Sequence, residues 1–275
     1  MVGIDVSAWQ HFLNGQGVYS DVVNGVFGPS VALGTRSYQT AKGLDADGIV
    51  GVGTFSQAVL DGFESPAGRV AIAGMDTNIN CSPFTSCIAT AGMKFVVRYY
   101  SNSPSKNLTR AEALALSNAG IQVGAVYEDS NNDTRFFSTS LGQKNAAKAL
   151  SLASGVGQPA GSAIYFAVDF DPALADVRGP VSDYFTAVAK AFAVAPTRYA
   201  LGVYGSGLTC RIIRDAGLAT FTWLTGSTAY QESAKFRPQA DLLQVAPERK
   251  ICNGKLSIDA DIAQSENFGA FRVTP

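Results

Sequence analysis

Histidine is nearly absent from this chain: His11 is the only one in 275 residues. One imidazole argues against a Ser-His-Asp triad, a Cys-His pair or a multi-histidine zinc site, so any catalysis falls to carboxylates. Cysteine is sparse as well. Cys81, Cys87, Cys210 and Cys252 are too dispersed for a zinc cluster, and no metal or other cofactor is expected. Their even number suits two disulfides in an oxidising compartment, Cys81–Cys87 and Cys210–Cys252, with four buried thiols as the alternative. Charge is scarce and balanced, 21 basic against 22 acidic residues, leaving no basic stripe for nucleic acid. No apolar run approaches the roughly 18 residues that cross a bilayer, so no membrane is expected as a partner. The opening residues Met1-Val2-Gly3-Ile4-Asp5 lack the basic and apolar regions of a signal peptide. A secreted protein of this kind would have lost its leader or would leave by another route, such as phage lysis.

What is present is a well-packed composition, 47% hydrophobic and 16% charged. The segment Ala163-Ile164-Tyr165-Phe166-Ala167-Val168-Asp169-Phe170-Asp171 reads as a buried strand that ends in two acids spaced i, i+2. Alternation points Asp169 and Asp171 the same way and puts Ile164, Phe166, Val168 and Phe170 on the opposite face. Two carboxylates at such a place are costly unless partnered or used for chemistry. A salt-bridge pair or a helix cap is the plain alternative. Two sequons, Asn107-Leu108-Thr109 and Asn132-Asp133-Thr134, would accept glycans in a eukaryotic secretory path.

Residues 1–63 read as a separate unit, three short helices over 7–14, 31–42 and 54–60 punctuated by Gly-Pro and Asp-Gly turns. Ser7 is the expected N-cap of the first, with Trp9, Phe12 and Leu13 on one side, and Thr54 or the preceding turn caps the third. A unit this small acts as a module rather than an enzyme. Its pieces Trp9-Gln10-His11-Phe12-Leu13-Asn14, Gly25-Val26-Phe27-Gly28-Pro29-Ser30, Thr35-Arg36-Ser37-Tyr38-Gln39 and Gly43 to Gly51 resemble the peptidoglycan-binding domain of cell-wall hydrolases. Gly3 to Gln10 also looks like the opening strand of the family 25 lysozymes. The helices and glycine turns that follow it favour a helix start, and Asp5 is not a catalytic candidate.

Residues 64–71 form the expected linker, and strand and helix signals alternate from there to residue 275. Strands are expected over 71–77, 95–100, 123–128, 163–171, 200–204, 220–225, 241–246 and 256–262. Helices are expected over 110–119, 141–154, 181–195 and 208–216. Eight strands in about two hundred residues fit an α/β (β/α)8 TIM-type barrel. A doubly wound sheet is the alternative, but no glycine fingerprint supports it, and Gly202 to Gly207 reads as a strand end and turn. Barrel active sites lie at the C-terminal strand ends. Polar residues expected there are Asp76, Arg98, Tyr100, Glu128, Asp169, Asp171, Tyr204, Gln244, Asp259 and Asp261.

Gly74-Met75-Asp76-Thr77, Arg98-Tyr99-Tyr100, Ile164 to Asp171, Gly202-Val203-Tyr204-Gly205 and Ile258-Asp259-Ala260-Asp261 together resemble the glycoside-hydrolase-like barrels related to the family 25 lysozymes. In the lysozymes the fourth strand ends Asp-x-Glu, with the Glu as general acid; here that slot holds Asp171, and Glu128 competes for the role. The resemblance implies a muramidase that cleaves bacterial peptidoglycan. Asp171 or Glu128 would be its acid, and Asp169 would orient or stabilise a substrate N-acetyl group. Asp76 and Asp259 would tune these charges, while Arg98, Tyr100, Tyr204, Trp223 and Gln244 would line sugar subsites. A wall-binding barrel without turnover and a glycosidase of another N-acetylated polymer are the other readings. A monomer is expected, because each unit closes its own core.

Overall fold

A computed structural model describes residues 4–63, 71–245 and 248–274. Most of the expected linker, residues 64–70, therefore lies outside the described residues, as does Ala246 at the end of the expected seventh strand.

Three helices come first: α1 (Ile4–Gly15), α2 (Pro29–Ala41) and α3 (Val52–Leu60). Ser7 lies inside α1 rather than at its cap, so the family 25-like opening is helical, as the glycine turns implied. Trp9, Leu13, Val31 and Tyr38 make the small core, with Phe12 packed against it. The unit is built twice on one device, an aromatic followed by a buried glutamine. Gln10 donates to Asn24 Oδ1 (3.0 Å) and accepts from the Gly25 amide (2.8 Å). Gln39 donates to Asp47 Oδ1 (2.8 Å) and accepts from the Gly48 amide (2.8 Å). Each glutamine thus satisfies a glycine turn whose backbone groups would otherwise be buried unpaired. Thr54 leaves the capping of α3 to Gly51 and accepts from Gln39 instead (2.9 Å).

The larger unit runs β1 (Ile72–Asp76), α4 (Thr85–Thr90), β2 (Phe95–Tyr100), α5 (Arg110–Asn118), β3 (Gln122–Tyr127), α6 (Thr139–Val156) and β4 (Ala163–Ala167). It continues through α7 (Leu174–Asp176), α8 (Ser182–Val194), β5 (Ala200–Gly205), α9 (Gly207–Asp215), β6 (Phe221–Leu224), α10 (Ser233–Phe236) and β7 (Leu242–Gln244). The hairpin β8 (Arg249–Ile251) and β9 (Leu256–Ala263) ends it. Side-chain caps mark helix starts: Thr109, Ser138 and Ser206 accept from Glu112, Leu141 and Thr209 amides at α5, α6 and α9.

Strands β1 to β7 pair in order and in parallel, and β9 closes the ring between β7 and β1. The barrel is therefore the TIM-like one expected, with one difference. β9 runs antiparallel to both neighbours, because the hairpin with β8, not a helix, joins it to β7. A hairpin reverses direction, whereas a parallel return needs a crossover. Asp259 still reaches the mouth, because it sits in the half of β9 opposite Asp76 at the end of β1.

The interior is tightly filled. Tyr165, Trp223 and Phe95 lie inside the ring, and the Phe268 ring packs against Phe95, tilted 53° with centroids 4.7 Å apart. A Cβ on Gly74 would come within 2.4 Å of the Phe95 ring, and one on Gly202 within 2.4 Å of the Tyr165 ring. Glycine there makes room for the aromatic opposite.

The disulfide pairing differs from the expectation. Cys87 bonds Cys252, while Cys81 and Cys210 are buried free thiols whose pKa burial pushes up to about 12. Sequence proximity favoured Cys81–Cys87, but Cys81 lies inside the barrel's outer layer and only Cys87, on α4, meets the turn of the β8–β9 hairpin.

Candidate active site

At the C-terminal ends of the parallel strands lies a cleft of about 240 Å³. Glu128, Asp169, Asp259 and Gln244 line it, with Tyr99, Tyr204 and Trp223 as aromatic walls. Glu128 follows β3 directly, and its amide donates to Tyr100 O (3.0 Å). Asp169 follows β4 by two residues, and its amide donates to Asn131 O (2.9 Å).

Asp76 lies behind this lining, buried, and is held on both oxygens. Tyr99 donates its hydroxyl to Oδ1 (2.8 Å), and Gln244 donates its amide to Oδ2 (2.9 Å). The Tyr204 hydroxyl donates to Gln244 Oε1 (2.8 Å), so one chain of hydrogen bonds runs from the aromatic wall to the buried acid. Deeper still, Asp261 accepts from Trp223 Nε1 (3.0 Å), and its other oxygen is buried without a partner among the described residues.

Electrostatics follow from this crowding. Burial lifts the Asp76 carboxyl to about 7, with repulsion from Asp259 and Glu128 adding to it against the two donors. Burial and Asp76 push Asp261 well above the carboxylate range. Burial and then Asp169 raise Glu128, while Lys106 opposes them with its Nζ 3.6 Å from Glu128 Oε1. Asp169 is raised by burial too, and Asp259 by burial and Glu248. The acids of the cleft and the one behind it are therefore all held toward the protonated form.

Three expected site residues lie elsewhere. Asp171 sits in a loop, because β4 ends at Ala167 and alternation lapses beyond it; its Oδ1 accepts from the Gln231 amide (3.1 Å). Arg98 and Tyr100 face the helices. Arg98 forms a fully buried ion pair with Glu112 (2.6 Å) and donates to Thr77 O (2.5 Å), which fastens the loop after β1. Tyr100 donates to Gln158 Oε1 (2.8 Å). Their neighbour Tyr99 takes the inward place, in step with Phe95 and Val97. Both faces of β2 are buried, so period-two patterning carried no sign of which was inward. Lys106 was also missed: it ends a single 3-10 turn (Pro104–Lys106) after β2, where nothing in the sequence points to the cleft. Glu128, Asp169, Asp259, Tyr204, Trp223 and Gln244 are brought together as expected, with Asp76 at their back.

Residues 86–263 match the family described as Rv2525c-like, glycoside hydrolase-like domain, and residues 2–57 match a peptidoglycan binding domain. Protein YbfG of Bacillus subtilis, itself uncharacterized, is 26% identical over 96% of this chain, which spans only 38% of that protein. Among solved structures, the Tat-secreted protein Rv2525c of Mycobacterium tuberculosis superposes with a TM-score of 0.60 at 22% identity, over 72% of this chain and 98% of that one. The modular autolysin LytC of Streptococcus pneumoniae, solved with a synthetic peptidoglycan ligand, superposes at 0.50 with 13% identity, over 70% of this chain and 46% of that one. These likenesses are of fold.

Proposed function

This chain belongs to the Rv2525c-like family of glycoside hydrolase-like domains, and from that membership we propose that it cleaves the glycan strand of peptidoglycan. Glycosidic hydrolysis needs a protonated acid beside the leaving oxygen and a negative group near the oxocarbenium-like carbon. In this reading Glu128 is the acid, since burial and Asp169 favour its protonated form. Asp169, beside it in the cleft, orients the substrate N-acetyl group or stabilises the cation. Asp259 beside them and Asp76 behind them tune the protonation of this pair, and Tyr99, Tyr204 and Trp223 stack sugar rings.

The observation that carries this reading is the meeting of Glu128 and Asp169 in one aromatic-walled cleft at the barrel mouth. The match of the helical unit to a peptidoglycan binding domain supports the wall polymer over chitin. LytC, whose barrel is alike in fold, was solved with a peptidoglycan ligand. Rv2525c is Tat-secreted, which agrees with work outside the cell, at the wall. Asp171, turned out of the cleft, favours a second reading: a barrel that binds wall glycan without turning it over.

Purified peptidoglycan digested with the protein should yield new reducing ends. Glu128→Gln should cut their rate at least 100-fold, the scale of losing a general acid. Asp171→Asn should leave the rate within about twofold, because that side chain is outside the cleft. Pelleting with peptidoglycan but no new reducing ends would establish the binding reading instead. Unchanged activity in Glu128→Gln would remove Glu128 from the mechanism.

A further inference from the structure

Strands β3 and β4 are in register as far as Tyr127 opposite Phe166, and their named ladder ends one residue before Glu128. The two acids therefore sit on strand exits that no ladder holds together. One buried side chain spans the gap. Asn131 Oδ1 accepts from the Asp129 amide (3.1 Å), and Asn131 Nδ2 donates to Ala167 O (2.7 Å). Its backbone carbonyl accepts from the Asp169 amide (2.9 Å). The carboxamide acts as a stand-in peptide group, accepting from one strand exit and donating to the other as a sheet neighbour would.

We propose that Asn131 is the positioning residue of the site, a clamp that sets the separation and shared burial of Glu128 and Asp169. This rests on the hydrolytic reading above for its consequence, though not for its geometry. Asn131 is 4% exposed, so its three bonds are not shared with solvent. Among the described residues, its neighbours bear no redundant clamp. Val168 N goes to Tyr204 O and Glu128 N to Tyr100 O, bonds that tie each exit to its other neighbour. The titratable groups that face the pair are Asp76 from β1, Tyr99 from β2, Lys106 and Asp129 from the β2 and β3 loops, Tyr204 from β5 and Asp259 from β9. None of them spans the two exits. Release of the clamp lets water between the acids and increases their distance, and both effects relax the burial and repulsion that favour protonation.

The test is made on the whole chain with Asn131→Ala and with Asn131→Ser, which keeps an acceptor for Asp129 N but is too short for Ala167 O. In a carboxyl NMR titration, Glu128 and Asp169 should move toward the ordinary carboxylate range in both variants. On peptidoglycan, kcat should fall on the order of 10- to 100-fold with KM changed far less, as for misplacement of a reacting group. The alkaline limb of the kcat profile should shift to lower pH, because an acid of lower pKa loses its proton sooner. In the wild type, the Asp129 and Asp169 amides should exchange with solvent as slowly as the β3–β4 ladder. A folded variant with unchanged titrations and unchanged kcat would overturn the proposal. So would fast exchange of those two amides, a result independent of whether either variant folds. If the wild type releases no reducing ends, the hydrolytic reading fails while titration and exchange still decide the clamp.

Discussion

Asp261 carries the sharpest consequence at the scale of a single residue. One oxygen accepts from Trp223 and the other has no partner in the described interior, so its ionised form is strongly disfavoured. Asp76, opposite the same strand, is raised to about 7. A carboxyl whose folded pKa lies above its unfolded one binds more protons in the native state, so it favours folding at low pH. That contribution is complete below about pH 4 and is lost as pH rises through the folded values. Stability should therefore decline from mildly acid to alkaline pH. Asp261→Asn, which cannot ionise, should flatten that decline between pH 5 and pH 8. Urea denaturation at the two pH values measures the slope, and an equal slope in the variant would refute the assignment.

Among the described strands, β8 has the weakest attachment through backbone pairing, since it pairs only with β9 of its own hairpin. The Cys87–Cys252 bond ties its turn to α4 across 165 residues of sequence. Ser257, which follows that turn, also accepts on its carbonyl from Thr77 Oγ1 (2.7 Å), so the hairpin and the exit of β1 brace each other beside Asp259. Closing so long a loop should be worth about 2–5 kcal/mol, read as the loss of denaturation midpoint on adding reductant. Thiol titration provides the independent check. The native protein should show no reactive thiol, because Cys81 and Cys210 are buried and their ionisation is pushed up to about 12. The unreduced, unfolded chain should show two; none would mean that a second disulfide exists.

For the whole molecule, the proposed function assigns binding to the helical unit and cleavage to the barrel. Leu60 of α3 lies against the loop before β2, the end of the barrel remote from the cleft, where a Cβ on Gly92 would stand 3.4 Å from its carbonyl. In the proposed reading, holding on to a wall and cutting it are thus separable. Gln39→Ala leaves the Gly48 amide buried without its acceptor and costs the helical unit about 1–3 kcal/mol. That variant should pellet less with insoluble peptidoglycan while releasing reducing ends from soluble glycan fragments at the wild-type rate. Equal loss of both would show that the units act as one.

The sequence by itself determined the division into units, the barrel and most of the acids at its mouth. These follow from short-range rules: helix and strand periodicity, glycine turns, and the placing of polar residues where a buried strand ends. Only the tertiary structure decided which side of a doubly buried strand faced inward, and so put Tyr99 in the cleft and sent Arg98 to Glu112. It also decided where alternation stops, which turned Asp171 outward and left Asp169 beside Glu128. The cysteine partners and the clamp at Asn131 belong to the same class. Each depends on which distant segments meet once the ring closes, a long-range contact that no local pattern of residues encodes.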